Sequence, residues 1–137
     1  MARPSPNLAE RLRTAGLRLT RPRLALAGLL LDGHHRHITA ERLHSEAIAA
    51  AIPVSLATVY NTLHQFTAAG LLREVVIAPG RSYFDTNIDD HHHFFCESNG
   101  MLQDIAGQGV TVLGIPVPPS GTEINRIEIV IRLRASD

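Results

Sequence analysis

Three consecutive histidines, His91, His92 and His93, run directly into Phe94 and Phe95. In an extended segment alternate side chains leave the same face, so His91 and His93 would present two imidazoles together. Neutral imidazole combined with carboxylate is a donor set suited to Fe(II), Mn(II) or Zn(II). A solvated polar strand end is the plainer alternative, and spacing alone does not separate the two. A second set of groups lies upstream, where Ala57, Thr58, Asn61 and Gln65 recur at helical spacing. Small and amide side chains on one helix face can approach base edges in a DNA major groove and hydrogen-bond them. A solvated helix in a bundle would carry the same face. The single cysteine, Cys96, excludes an internal disulfide and an all-cysteine zinc site and reads as packing. The histidines form no His-Glu-x-x-His pair and the chain has no nucleophile elbow, which argues against a metal-dependent hydrolase.

Charge distribution agrees with two separate tasks. The 137 residues have zero formal net charge. Up to Asp85, however, ten arginines face six acids, a net +4; beyond it three arginines face seven acids, a net −4. A basic half suits phosphate and an acidic half suits cations; a pure interaction module would leave this asymmetry unexplained. No run approaches the roughly 18 apolar residues of a membrane span. The opening Met1-Ala-Arg-Pro-Ser-Pro lacks a signal-peptide core, so the expectation is a soluble, cytoplasmic protein without a membrane partner.

Both sets of groups need elements to hold them. Leu8, Leu12 and Ala15 predict a short helix ended by Gly16. Thr20 can cap a second helix with Pro22 in its first turn, closed by Asp32-Gly33. After a loop containing His34, His35, Arg36 and His37, Thr39 caps a third helix, stopped at Pro53. Ser55 caps a fourth. Its apolar face is Leu56, Val59, Leu63 and Phe66, with Tyr60 at the edge of the stripe, and Gly70 ends it. Two extended runs, Leu72 to Ile77 and Ser82 to Phe84, flank a turn at Ala78-Pro79-Gly80-Arg81. Helices followed by a hairpin give the order of a winged helix-turn-helix, with the fourth helix as the reading element. Arg18, Arg21 and Arg23, with Arg73 and Arg81 on the wing, could then hold phosphates of double-stranded DNA.

The second half changes character. Thr86 to Asp90 reads as a hinge, His91 to Cys96 and Met101 to Ile105 as strands, and Gly107 to Gly121 as irregular or only briefly helical. Alternation over Ile127, Ile129, Ile131 and Leu133 predicts a half-buried strand. A domain of about 45 residues is too small to be comfortable alone, so this apolar face should meet a second copy of the chain. The expected organisation is α+β: a winged-helix DNA-binding domain over 1–85, a hinge over 86–90, and a small α/β dimerisation and sensing domain over 91–137.

At Pro53-Val-Ser-Leu-Ala-Thr-Val-Tyr-Asn-Thr-Leu63 the chain resembles the ferric uptake regulator family. Ala15-Gly-Leu-Arg-Leu-Thr-Arg-Pro-Arg23, His37-Ile-Thr-Ala-Glu41, Ala69-Gly-Leu-Leu72 and Tyr83-Phe-Asp85 extend the likeness, in order, over roughly residues 8 to 105 plus the last strand. The resemblance implies a homodimeric, metal-responsive repressor. It implies that Tyr60 and Asn61 face bases, with Ser55, Thr58 and Gln65 on the same helix, and that Arg18 approaches the minor groove. It also implies a metal set of His37, Asp85, His91, His93 and Asp104. An ion held by residues of both halves would fix the angle between them, and so the spacing of two reading helices on DNA half-sites. Aspartate at 85 and 104 resembles the peroxide-sensing branch of the family. Most members carry two Cys-x-x-Cys pairs; here the first reads Cys96-Glu-Ser-Asn99, so no four-cysteine structural zinc is expected. The missing cysteines, the histidine triplet with its aromatic neighbours, and the ending Ile127 to Arg134 are similar to the iron response regulator branch, which responds to haem. That likeness implies His91, His92 and His93 as candidate haem ligands.

Overall fold

The computed structural model describes residues 7–106 and 109–136. The expected irregular course at Gly107 and Gln108 therefore lies outside the described residues. Two compact units divide between Ile88 and Asp89.

The first unit contains four helices, α1 (Leu8–Thr14), α2 (Arg21–Leu30), α3 (Ala40–Ala49) and α4 (Leu56–Ala68). Three of them start at side-chain caps that satisfy backbone N–H groups otherwise left without helical partners. Thr20 Oγ1 accepts from Arg23 N at 3.2 Å, Thr39 Oγ1 from Arg42 N at 3.1 Å, and Ser55 Oγ from Thr58 N at 3.1 Å. The helices bury Leu12, Leu26, Leu30, Leu43, Leu63 and Phe66 completely, and Leu8 and Phe84 almost so. Val59, Leu63 and Phe66 are the buried side of α4, as its spacing predicts, with Thr62 beside them. Gly70, at φ +81°, turns the chain out of α4 in the left-handed conformation that glycine adopts at no steric cost.

Strands β2 (Arg73–Ala78) and β3 (Arg81–Asp85) form the hairpin, with Gly80 at φ +73° in its turn. A two-residue strand β1 (His37–Ile38) adds to β3, giving the order β1-β3-β2. Sequence periodicity does not reveal β1, because two residues carry no pattern. The strand is nevertheless consequential: antiparallel pairing places His37 opposite Asp85 and Ile38 opposite Phe84.

The second unit contains β4 (His92–Cys96), β5 (Met101–Ile105) and β6 (Val130–Leu133), ordered β5-β4-β6, with β4–β5 antiparallel and β4–β6 parallel. Its described residues include no helix, in keeping with the density of Gly and Pro after Ile105. The last strand begins at Val130 rather than Ile127. On its apolar face Ile129 is partly buried, while Ile127, Ile131 and Leu133 are each 37–38% exposed. A single copy of this small unit has no layer to place over them.

Candidate metal centre and nucleic-acid interface

In the first unit, strand register positions an imidazole and a carboxylate. His37 Nε2 lies 3.2 Å from Asp85 Oδ2, and the Asp85 side chain is 1% exposed. The other Asp85 oxygen accepts the Asn87 N–H at 2.8 Å. Next to His37, the Arg36 backbone is clamped to Thr86: Arg36 N donates to Thr86 Oγ1 at 2.9 Å and Thr86 N donates to Arg36 O at 3.1 Å. The Arg36 guanidinium reaches Glu46 of α3 with both nitrogens, at 2.9 and 2.6 Å. That bond holds the Glu46 carboxyl below its ordinary range. The residues flanking the His37–Asp85 pair are thus tied to the helical core by charge-assisted bonds.

In the second unit, His91 and His93 converge on one carboxylate. Their Nε2 atoms lie 3.0 and 3.2 Å from the same oxygen of Asp104, and their ring centroids are 4.4 Å apart. The alternation expected of the triplet holds, although His91 precedes β4 rather than belonging to it. Asp104 arrives because β5 pairs it directly opposite His93. Two imidazoles and a carboxylate oxygen facing one point, with His93 buried, fit a hard or borderline divalent cation. His92 leaves the other face, where its Nδ1 accepts the Ile129 N–H at 3.1 Å. His91 and His92 both border a cavity of about 440 Å³, whose wall is completed by Asp90 and Thr111 and by Ile105, Val110, Val112 and Ile127. The cysteine of this unit, Cys96, sits beside Ser98, whose hydroxyl lowers the thiol below its ordinary range.

The polar face of α4 is solvent-facing at Ala57, Asn61 and Gln65. Several of its groups already have partners. The Ser55 hydroxyl donates to Thr58 Oγ1 at 3.0 Å, so both hydroxyls belong to the helix start. Arg23 Nε donates to Gln65 Oε1 at 3.1 Å and its Nη1 to the Arg18 carbonyl at 2.7 Å, bracing the start of α2 against α4. Tyr60 OH donates to Glu41 of α3 at 2.5 Å. Arg18, Arg21 and Arg81 are exposed, and Arg73 is half-buried on β2. Sequence reasoning missed the carboxylate partner of Tyr60 and the Arg36–Glu46 pair. Both are contacts between elements, which intervals along the chain do not encode.

The ferric uptake regulator family model matches residues 14–130. Over 102 residues the chain is 40% identical to transcriptional regulator FurA of Mycobacterium tuberculosis, covering 73% of this chain and 67% of that protein. It is 36% identical over 94 residues to the peroxide-responsive repressor PerR of Staphylococcus aureus, covering 68% of this chain and 62% of that one. Among solved structures it is similar to the ferric uptake regulator of Pseudomonas aeruginosa with manganese. The TM-score is 0.67 at 26% identity, over 93% of this chain and 97% of that one.

Proposed function

The chain belongs to the ferric uptake regulator family, and on that premise we propose that it is a repressor of iron-homeostasis or haem-biosynthesis genes. It is a metal-responsive, DNA-binding transcriptional regulator and not an enzyme. In the proposed reading, His37 and Asp85 of one unit and His91, His93 and Asp104 of the other supply the ligands of one divalent ion, Fe(II), Mn(II) or Zn(II). The convergence of His91 and His93 on Asp104 carries this reading. The ion would supply a fixed link between the reading unit and the smaller unit. Binding that prefers one arrangement shifts the population toward it by its differential affinity and no more.

In this reading residues 1–85 form the DNA-binding domain, 86–90 the hinge, and 91–137 the dimerisation and sensing domain. The α4 residues Tyr60, Asn61 and Gln65, with Ser55 and Thr58 at its start, read base edges. Arg18, Arg21, Arg23, Arg73 and Arg81 contact phosphate and sugar. A homodimer formed through the exposed Ile127, Ile131 and Leu133 presents two reading helices to two half-sites. No four-cysteine zinc site contributes, since the chain has one cysteine.

Haem is the second ligand of the proposal, and the cavity of mixed polar and apolar lining beside His91 and His92 is where those imidazoles could meet it. Haem taken there weakens DNA binding by disturbing the metal-ordered dimer. A peroxide-sensing repressor of the same fold is the competing reading, favoured by aspartate at 85 and 104 and by the peroxide-responsive relative. It is separated by mass: one oxygen gained on the peptide bearing His37 or His91 to His93 after peroxide treatment of the Fe(II) form.

The deciding experiment selects duplexes from a random pool with full-length protein and Mn(II), then measures affinity for the selected duplex. Metal-stripped protein is compared with the Mn(II), Fe(II) and haem forms. Divalent metal should raise affinity about tenfold or more, and haem should lower it. Equal binding by stripped protein and every loaded form would end the sensing reading.

A further inference from the structure

Glu41 opens α3 and lies in none of the residue groups assigned above to metal, phosphate or bases. Its carboxylate accepts the hydroxyl of Tyr60 on α4 at 2.5 Å. The bond is mutual in its electrostatics: Tyr60 is the first cause that lowers the Glu41 carboxyl, and Glu41 is the first cause that raises the Tyr60 phenol. Both groups therefore keep the protonation states the bond requires, phenol as donor and carboxylate as acceptor. Further along α4, the His64 ring lies near-parallel to the Tyr60 ring, with centroids 6.4 Å apart and 19° between planes. His64 in turn meets Phe84 of the wing edge-on at 5.6 Å. The Tyr60 side chain is thus held at its tip by α3 and flanked along its ring by a residue that touches the wing.

Resting on the reading of α4 as the helix that enters the groove, we propose that Glu41 is a positioning residue for sequence recognition, fixing the Tyr60 ring for contact with a base. The chemistry follows from how the hydroxyl is used. With its one proton committed to Glu41, Tyr60 offers a base its apolar ring rather than a donor, and an apolar surface in the major groove selects the thymine methyl. A ring free to rotate would adopt this pose for only part of the time, so specific affinity would fall by the fraction of molecules holding it. An unpaired acid at the DNA surface would otherwise only repel phosphate, so the simplest rival account of Glu41 is charge alone.

Full-length protein is assayed with the selected duplex and with a scrambled duplex of equal length, at fixed salt. Glu41→Ala is expected to lower the ratio of selected to scrambled affinity about fivefold. Glu41→Gln should restore most of that ratio, because its amide oxygen still accepts from the phenol. Combining Glu41→Ala with Tyr60→Phe should cost no more than Tyr60→Phe alone, the non-additivity of two groups acting as one. If Glu41→Ala and Glu41→Gln behave alike and tighten both duplexes equally, charge is the whole effect and positioning is overturned. Strictly additive losses overturn it as well. A wild-type protein with no preference between the duplexes would instead remove the reading of α4, and the inference with it.

Discussion

Asp85 meets His37 across the β1–β3 pairing with 3.2 Å between carboxylate oxygen and imidazole nitrogen, and its side chain is 1% exposed. A carboxylate taken out of water needs compensation, and here it has the imidazole on one oxygen and the Asn87 N–H on the other. Strand register holds the pair before any ion contributes, which lowers the ordering cost of binding one.

From that arrangement, Asp85→Asn should lose about tenfold or more in Mn(II) affinity by calorimetric titration, since it removes an anionic donor and keeps the shape. Mn(II) should raise the unfolding temperature of the wild type, and raise that of Asp85→Asn much less at equal metal. His37→Ala should in addition cost about 1–3 kcal/mol of stability in metal-free protein, because it leaves a buried carboxylate short of a partner.

The Arg36–Glu46 pair predicts a pH effect. Glu46 titrates lower in the native chain than its ordinary 4.5, first because of the Arg36 hydrogen bond. A lowered native pKa means that the pair's stabilisation is complete above the ordinary value and is lost as pH falls through the native one. Denaturant midpoints of the wild type should therefore fall more steeply below about pH 4.5 than those of Glu46→Gln. Near pH 7 the variant should be less stable by about 1 kcal/mol, a modest figure because both side chains are partly solvated. Parallel curves would show that the pair contributes nothing measurable.

What the sequence disclosed, and what it withheld, divides along one physical line. Caps at Thr20, Thr39 and Ser55, the buried face of α4, the wing turn at Gly80 and the span of β5 are local, and local rules recover them. The pairing of His91 with His93 is equally local, a consequence of strand alternation. Asp104 and His37 are different: each reaches its partner through register between strands, and only the family resemblance pointed to them. Alternation in the last strand reports which residues share a face, not how much of that face one copy of the chain covers. Glu41–Tyr60 and Arg36–Glu46 left no trace, since their partners lie on different elements.

The uncovered face of β6 yields the next expectation. Ile131 and Leu133 are each 38% exposed, with Leu113 and Val117 at 86% and 92% on the preceding segment. Exposed apolar side chains on this unit fit the homodimer surface of the proposed function. Ile131→Asp should turn a dimer into a monomer in sedimentation equilibrium, since a carboxylate enclosed at an apolar interface lacks compensation. Affinity for a duplex with two half-sites should fall with it, while binding to a single half-site is preserved. A variant that remains dimeric would place the interface elsewhere.

His92 separates the two ligands of the proposed function. Its Nδ1 accepts the Ile129 N–H, so that nitrogen carries the lone pair and Nε2 carries the proton. An axial ligand must offer iron a lone pair, and offering Nε2 would require the other tautomer, with the proton on Nδ1 facing the Ile129 N–H. Two donors would then oppose each other, and this bond to Ile129 would break, leaving the His93 N–H to Ile129 carbonyl bond at 3.0 Å as the remaining tie at that residue. Haem capture by His92 should therefore speed amide exchange at Ile129 and along Val130–Leu133, whereas Mn(II) should leave that exchange unchanged. His92→Ala should abolish the haem-dependent change and, being outside the His91–His93–Asp104 convergence, keep Mn(II) affinity within about twofold. If the Soret band of added haem shifts with His92→Ala as it does with the wild type, and exchange at Ile129 is unaltered in both, His92 is not the haem ligand.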